Sequence, residues 1–568
     1  MPSSLPTHAI ELLRWDWADY QPFYQTLQNQ NLTAQNVEDW LKDWSRLSEC
    51  INEQYNRLYV AMTASTADQA AEQRFQHYLD SIYPPKLAAE QALKEKLLAS
   101  GLQPAGFELP LRCMRSDAER FRQQNIPLLA LDEKLANEYN QIVGAQTVTW
   151  QGVETTLPQL KPVFQNPDRQ VREQAWRLGA ERQLADREAL NDLWRRLLSN
   201  RLSVAANADL PSYRDYRWSQ MYRFDYTPAD CRTFHEAIER VVVPAARRAY
   251  KRRQQRLGVK TLRPWDLEVD PLGRPALRPF QTATELRVVA SRVFHQVDPV
   301  LGGYFDQMTA EGLLDLENRK NKAPGAYCTD YPAIRRPFIF MNAVGIHDDV
   351  QTLLHEGGHA FHVFESAHLP YYHQMAAPME FAEVASMGME FLAMPYLDRE
   401  QGGYYSRDDA ARARVEHLES SLLFWAYMAV VDAFQHWVYE NPQSALQPAA
   451  CDAAWGREWQ RFMAGVDWSG LEAECVTGWQ RKLHIFLYPL YYVEYGLAQL
   501  GAVQVWLNAS KNRSKAVAAY RRALALGGTA SLPLLFQAAG ATFGFDATLL
   551  GKAVKAMETA IAASEAVQ

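Results

Sequence analysis

Apolar residues recur three and four positions apart along most of this chain, most clearly over residues 36 to 62, 66 to 100 and 168 to 200. That spacing returns side chains to one face of a 3.6-residue helix, so the sequence predicts a mainly α-helical protein. With 568 residues, 48% of them hydrophobic, such helices can enclose a large core. Two interruptions organise the pattern. TVTWQGVETT, residues 147 to 156, alternates β-branched and aromatic residues around Gln151-Gly152 and predicts a short hairpin, after which residues 157 to 168 concentrate prolines. This punctuation divides the chain into an N-terminal helical domain, residues 1–150, and a second domain, residues 151–568. Within the latter, GAYCTDYPAIRRPFIFMN (325 to 342) predicts two more short strands, and the stretch from Pro264 to Pro279 a long loop.

A formal net charge of -7 argues against a dedicated nucleic-acid binder, because phosphate backbones are held by accumulated Lys and Arg. One basic cluster, Arg247, Arg248, Lys251, Arg252, Arg253 and Arg256, repeats at helical spacing and is expected to be a solvated helix face. The six cysteines are widely scattered with no CxxC pair, and are expected to be reduced thiols. The N-terminal residues lack the basic and apolar regions of a leader, and no later stretch supplies the roughly 18 apolar residues of a membrane span. A cytoplasmic protein without a membrane partner is the expectation. No pattern specifies an oligomeric state.

The sequence DDVQTLLHEGGHAFH (348 to 362) places His-Glu-x-x-His in an apolar helical pattern, with Asp348 or Asp349 available to cap the helix. Four residues make about one turn, so His355 and His359 project from one face and can share a tetrahedral ion. Glu356 then stands beside the metal, where it can take a proton from water on the ion and pass it to a leaving amine. Two core histidines could fall into this spacing by accident, but random placement gives only about 0.02 such motifs in a chain of this composition. Gly357 and Gly358, costly inside a helix, are expected to admit a close backbone, either a substrate or the PFIFMN strand.

A catalytic zinc keeps three protein ligands, and the third is expected from MEFAEVASMGMEFLAM (379 to 394), which carries Glu380, Glu383 and Glu390. Spacing alone does not choose between Glu380 and Glu383. For Glu390 the alternatives are a hydrogen bond to a ligand histidine and a buried structural ion pair.

These segments resemble the thimet oligopeptidase and oligoendopeptidase F family of zinc peptidases, most of all its oligoendopeptidase F branch. HEGGHAFH is similar to the family's HExGH core, although Gly357 departs from its usual apolar residue. FAEVASMGMEF (381 to 391) is similar to the family's third-ligand segment, KAPGAYCTDYP (322 to 332) to its Gly-Ala-Tyr strand, and HIFLYPLYYVEYGLAQLGA (484 to 502) to its His- and Tyr-rich segment. The likeness runs from about residue 150 to 545, and the first 150 residues match only in length and helicity. It implies a large helical, clam-like metallopeptidase with a deep channel, a small β-sheet beside the HExxH helix, and an N-terminal domain restricting access. It also implies one Zn2+ per chain on His355, His359 and Glu383, selecting Glu383 over Glu380. The same resemblance brings His484 and Tyr492 or Tyr495 to the scissile carbonyl as catalytic groups, with Tyr488 lining the cleft. Without it, a stripe of Tyr488, Tyr491, Tyr492 and Tyr495 at helical spacing reads as aromatic core. Tyr327 and His347, near the motif strands, are expected substrate contacts. The implied activity is hydrolysis of internal bonds in short, unstructured peptides. The competing expectations are an exopeptidase on the same scaffold, of carboxypeptidase or dipeptidase type, and a non-catalytic peptide-binding protein, which would have no need of Glu356.

Overall fold

A computed structural model describes residues 4–6, 8–65, 67–319, 322–323 and 325–566. Helices dominate, as the spacing predicts: of residues 36 to 62, 37 onward fall in one helix, Val37–Ala64, and of residues 66 to 100, where Thr66 lies outside the described residues, most fall in Gln69–His77 and Tyr83–Ser100, joined by a π-helical turn. Residues 168 to 200 form Arg169–Ala185 and Arg187–Asn207. Asp68 and Asp168 start two of these helices by accepting amides of the first turn, as short acidic side chains do at N-caps. None of the described helices is long and apolar enough to cross a membrane.

The chain forms two compact units, each assembled from three stretches. The first comprises Met1–Glu119, Arg278–Ala413 and Ala498–Phe543, and the second Arg120–Leu277, Arg414–Leu497 and Gly544–Gln568.

In the first unit, Tyr20, Trp40, Trp44, Leu93 and Phe107 form part of an N-terminal core. Beside them the Glu90 carboxylate accepts the Tyr24 hydroxyl at 2.6 Å, the Trp44 indole N–H at 2.9 Å and the Ser48 hydroxyl at 3.1 Å. A three-stranded sheet has β5 (Arg336–Ala343) at its centre, parallel to β3 (Leu314–Glu317) and antiparallel to β4 (Tyr327–Tyr331). The strands β4 and β5 are the two that the sequence predicts, whereas β3 was not foreseen. Pro324, just before β4, lies outside the described residues. The Val37–Ala64 helix is bonded to β4, with Asn56 Nδ2 donating to the Asp330 carbonyl at 2.8 Å and the Thr63 and Tyr327 hydroxyls 2.6 Å apart.

Packed on this sheet is the His347–Ser366 helix with its HExxH sequence. Asp349 acts from inside the first turn, its Oδ2 accepting the amides of Val344 and Gly345 at 2.8 Å and of Ile346 at 3.0 Å. The Met379–Ala393 helix lies against the HExxH helix, and Gly358 explains the closeness. A Cβ on Gly358 would stand 2.4 Å from the Ala385 carbonyl oxygen and 2.6 Å from Ser386 Cα, and one on Gly357 would stand 2.6 Å from the Phe294 ring. The partner at Gly358 is thus a neighbouring helix, not the PFIFMN strand or a substrate as the sequence suggested.

The second unit contains the predicted hairpin, β1 (Thr147–Trp150) paired antiparallel with β2 (Val153–Thr156). Gln151 and Gly152 take φ of 51° and 82°, the left-handed pair that two-residue hairpins favour. Trp194, Trp425, Trp455 and Trp479 are fully buried here. The basic cluster falls on the Pro228–Leu257 helix, where Arg248, Arg252 and Arg256 form ion pairs with Glu558, Glu419 and Glu565. From Pro264 to Pro279 the chain is a loop apart from one 3-10 turn, Pro264–Asp266. Buried Asp266 anchors it by accepting from Arg169 and Arg172.

The Gly358 contact gives a direct test. Gly358→Ala forces two backbones apart and should cost roughly 1–3 kcal/mol, typical of overpacking. Gly303→Ala, where a Cβ meets nothing within 4 Å, should be neutral or stabilise by about 0.5–1 kcal/mol through helix propensity. Thermal and denaturant unfolding of the two variants checks both signs.

Candidate metal centre

One turn apart on their helix, His355 and His359 both face Glu383 of the Met379–Ala393 helix, and the three offer donor atoms within 4.8 Å of one another. Glu383 Oε2 lies 3.4 Å from His355 Nε2 and 3.6 Å from His359 Nε2. These separations are long for hydrogen bonds, yet two ligands at ~2.0–2.1 Å from one tetrahedral ion stand about 3.4 Å apart. The residues therefore fit a metal, and two imidazoles with one carboxylate suit zinc with a coordination position to spare. Glu380, the other candidate by spacing, is buried on the same helix and is not one of the three.

Further contacts orient this set. His355 Nδ1 is 2.7 Å from Glu390 Oε1, so its N–H donates to the carboxylate and Nε2 is the nitrogen turned towards Glu383. Of the two alternatives for Glu390, this is the hydrogen bond to a candidate ligand. Ser386 Oγ donates to Glu383 Oε2 at 3.0 Å. Burial pushes His359 down to about 4, which keeps its imidazole neutral with a lone pair available. Burial also works against a proton on His355, but the neighbouring carboxylates of Glu383 and Glu390 outweigh it and hold this ring well above the usual histidine range. A metal bound there displaces that proton.

Glu356 is 7% exposed, and burial pushes its carboxyl up to about 7. It accepts the backbone N–H of Cys328 on β4, a contact that pulls modestly the other way. Cys328 was not singled out from the sequence, since every residue offers an amide and only the packing of β4 against the HExxH helix selects this one. Tyr405 was also missed, and its hydroxyl lies 2.7 Å from His347 Nδ1 at the start of that helix. Tyr327 stacks on Phe340 at 4.7 Å, with its hydroxyl on Thr63.

The other predicted residues lie in the second unit. His484, on the short Leu483–Leu487 helix, has Nε2 3.4 Å from the Tyr495 hydroxyl and its ring 5.0 Å from that of Tyr492. Tyr492 is 3% exposed, with Lys482 Nζ 4.4 Å from its ring centre, whereas Tyr488 is 50% exposed. The single helical stripe of tyrosines expected from spacing is broken. Tyr488 follows one helix, Tyr492 and Tyr495 open the next, Tyr492–Lys511, and between them come Pro489 and Leu490 at a φ of 63°. Buried arginines fix this irregular stretch by its carbonyls. Arg201 donates to Ile485 at 3.3 Å and to Phe486, Arg217 to Pro489 at 3.1 Å, and Arg223 to Leu490 at 2.6 Å.

The sequence profile of Peptidase family M3 matches residues 163–552, more than half of the chain. This chain belongs to Peptidase family M3. It is thus a metallopeptidase of that family, and the matched region contains all of the predicted catalytic, substrate-binding and metal-binding residues. The metallopeptidase is similar to Pz peptidase A, solved with an inhibitor, at 26% identity and a TM-score of 0.89 over 99% of both chains. It is similar to a protein assigned as an oligoendopeptidase F at 26% identity and a TM-score of 0.90, over 96% of this chain and 97% of that one. Oligoendopeptidase F from Enterococcus faecium, at 14% identity, shares the fold over 97% of both chains with a TM-score of 0.63. No curated protein sequence matches.

Glu390→Ala removes the acceptor that orients His355. Metal affinity, measured by competition with a chromophoric chelator, should fall about 10- to 100-fold with little loss of helix content. Unchanged affinity with lowered stability would return Glu390 to a structural ion-pair role.

Proposed function

We propose that this metallopeptidase is a Zn2+-dependent endopeptidase cutting internal bonds of short, unstructured peptides. His355, His359 and Glu383 are its metal ligands and Glu356 its general base. The observation that carries the reading is the convergence of the three donors with a buried carboxylate one residue along the same helix. When bound, Zn2+ supplies a Lewis acid that polarises a carbonyl and brings the pKa of water to roughly 7. Glu356 takes the proton of the attacking water and delivers it to the leaving amine. A buried carboxyl held by a neutral amide, as Cys328 holds this one, keeps the high proton affinity that such a shuttle requires at neutral pH.

For His484 and Tyr495 a role as donors to the developing oxyanion is proposed from the likeness of their segment to the family's. Tyr495 is preferred to Tyr492 because it is the less buried of the two and its hydroxyl is beside His484. Tyr488, Tyr327 and His347 are carried as peptide contacts, and residues 1–150 as the element restricting access to short chains. Six cysteines without a disulfide suit a reducing compartment, and we propose the cytoplasm as the enzyme's location.

The deciding experiment is mass spectrometry of products from a defined peptide mixture, with and without a chelator. Internal cleavage of short peptides, lost with the chelator and restored by Zn2+, is expected. Release of terminal residues or dipeptides alone would make the enzyme an exopeptidase. Glu356→Gln should retain metal while turnover falls by about 10² or more, and near-normal turnover would remove Glu356 from the mechanism. Tyr495→Phe conserves ring volume, so unfolding temperature and bound metal should hardly change while kcat falls roughly 10²-fold. A kcat within tenfold of the wild type would end the oxyanion assignment.

A further inference from the structure

The second unit contains another set of metal-ligating side chains, on residues that take no part in the proposed hydrolysis. Cys231 and His235 are one turn apart on the Pro228–Leu257 helix, and Asp432 and His436 one turn apart on the Arg407–Glu440 helix. The two pairs meet: Cys231, Asp432 and His436 offer donor atoms within 4.8 Å of one another, and all four residues are at most 4% exposed. We propose that Cys231, Asp432 and His436 form a second metal site, for a thiophilic divalent ion of the zinc class, which clips these two helices together.

Three observations carry this. The first is ligand chemistry, since thiolate, carboxylate and imidazole converging in a dry interior form a zinc-type donor set. The second is spacing: His436 Nε2 is 3.4 Å from Asp432 Oδ2, the same separation as His355 Nε2 from Glu383 Oε2. It is again long for a hydrogen bond and close to the distance between two ligands on one ion. The third is unmet polarity. Asp432 has no solvent exposure, its Oδ1 has no hydrogen-bond partner among the described residues, and neither has His436 Nε2. A buried carboxylate oxygen left bare is costly, and an ion between these atoms would satisfy both. His235 Nε2, 2.8 Å from Asp432 Oδ2, would orient the carboxylate as outer hydrogen bonds orient metal ligands elsewhere.

One neighbour opposes binding. Arg214 Nη1 is 3.3 Å from His436 Nδ1, and a guanidinium can only donate, so that contact puts the ring proton on Nε2. Metal at Nε2 moves the proton to Nδ1 and leaves Arg214 to Glu440 Oε1, which it already meets at 2.5 Å. Loading therefore releases the Cys231 thiol proton, because the thiolate is the ligand, and is weaker in acid.

The test uses the full chain, reconstituted with Zn2+ or Co2+. Elemental analysis should find two ions per wild-type chain, one in Glu383→Ala and one in Cys231→Ser. With Co2+, a thiolate-to-metal charge-transfer band in the near ultraviolet should be present in the wild type and in Glu383→Ala. It should be absent from Cys231→Ser, because the His355 site offers no sulfur. The cobalt spectra of the wild type and Glu383→Ala answer the question even if Cys231→Ser does not fold. One ion in the wild type, none in Glu383→Ala and no thiolate band would overturn the second site and leave the peptidase reading intact. One ion that survives Glu383→Ala with a thiolate band would support the second site and sink the assignment of metal to Glu383.

Discussion

The candidate centre depends on how closely two helices approach at Gly358. His355 and His359 are placed by the helix that bears them, but a metal needs a third donor within about 3.4 Å of both imidazoles, and that donor belongs to another helix. The approach is set by backbone against backbone, Gly358 against Ala385 and Ser386, with no side chain between. The Tyr520 hydroxyl donates to the same Ala385 carbonyl at 2.6 Å, and Val384 and Phe536 close around Gly501. Glu383 is thus carried on a segment held by several contacts, and Ser386 ties its carboxylate back to that segment. A glycine in mid-helix costs roughly 1 kcal/mol against alanine, and here it secures a ligand distance that a longer side chain on a looser scaffold could not fix.

What was legible in the sequence follows the range of the interaction involved. The pair His355 and His359 depends only on the pitch of one helix, and the hairpin at Gln151-Gly152 only on local turn chemistry, so both were readable. The choice between Glu380 and Glu383 depends on which face of one helix meets Gly358 of another, and residue spacing contains no such information. Family resemblance supplied it instead. The strand β3 escaped notice because LDLE carries two acidic residues in four and is defined by parallel pairing to β5, a contact across some two dozen residues. The tyrosine segment misled for a related reason. Its three- and four-residue spacing is real, but Pro489 removes an amide and Leu490 takes a left-handed conformation, so one apparent helix becomes two.

That break leaves backbone carbonyls without helical partners, and it is buried arginines that meet them. Arg201, Arg217 and Arg223 reach four carbonyls between Ile485 and Leu490, and Arg223 also pairs with Glu494 in a bridge almost without exposure. A guanidinium presents five donors in a rigid fork, which suits it to holding an irregular chain that no regular hydrogen-bond ladder can hold. The segment with His484 and Tyr488 is therefore held in place by charged donors, where the HExxH helix is set against its neighbour by the close approach at Gly358.

The same comparison sets Asp432 apart from other buried carboxylates. Asp266 has no exposure, and its two oxygens accept four bonds of 2.7 Å to 3.1 Å, two from Arg169, one from Arg172 and one from the Arg263 amide. Half-buried Glu90 receives three donors and buried Asp349 three amides. Asp432 is equally buried and receives a well-formed bond only from His235, with a second histidine too distant for one and Cys231 close by. Beside Asp266 and Asp349 with their several donors, a fully buried carboxylate with one oxygen lacking a donor and a thiol and an imidazole within reach is more economically explained by a bound cation than by an unsatisfied charge.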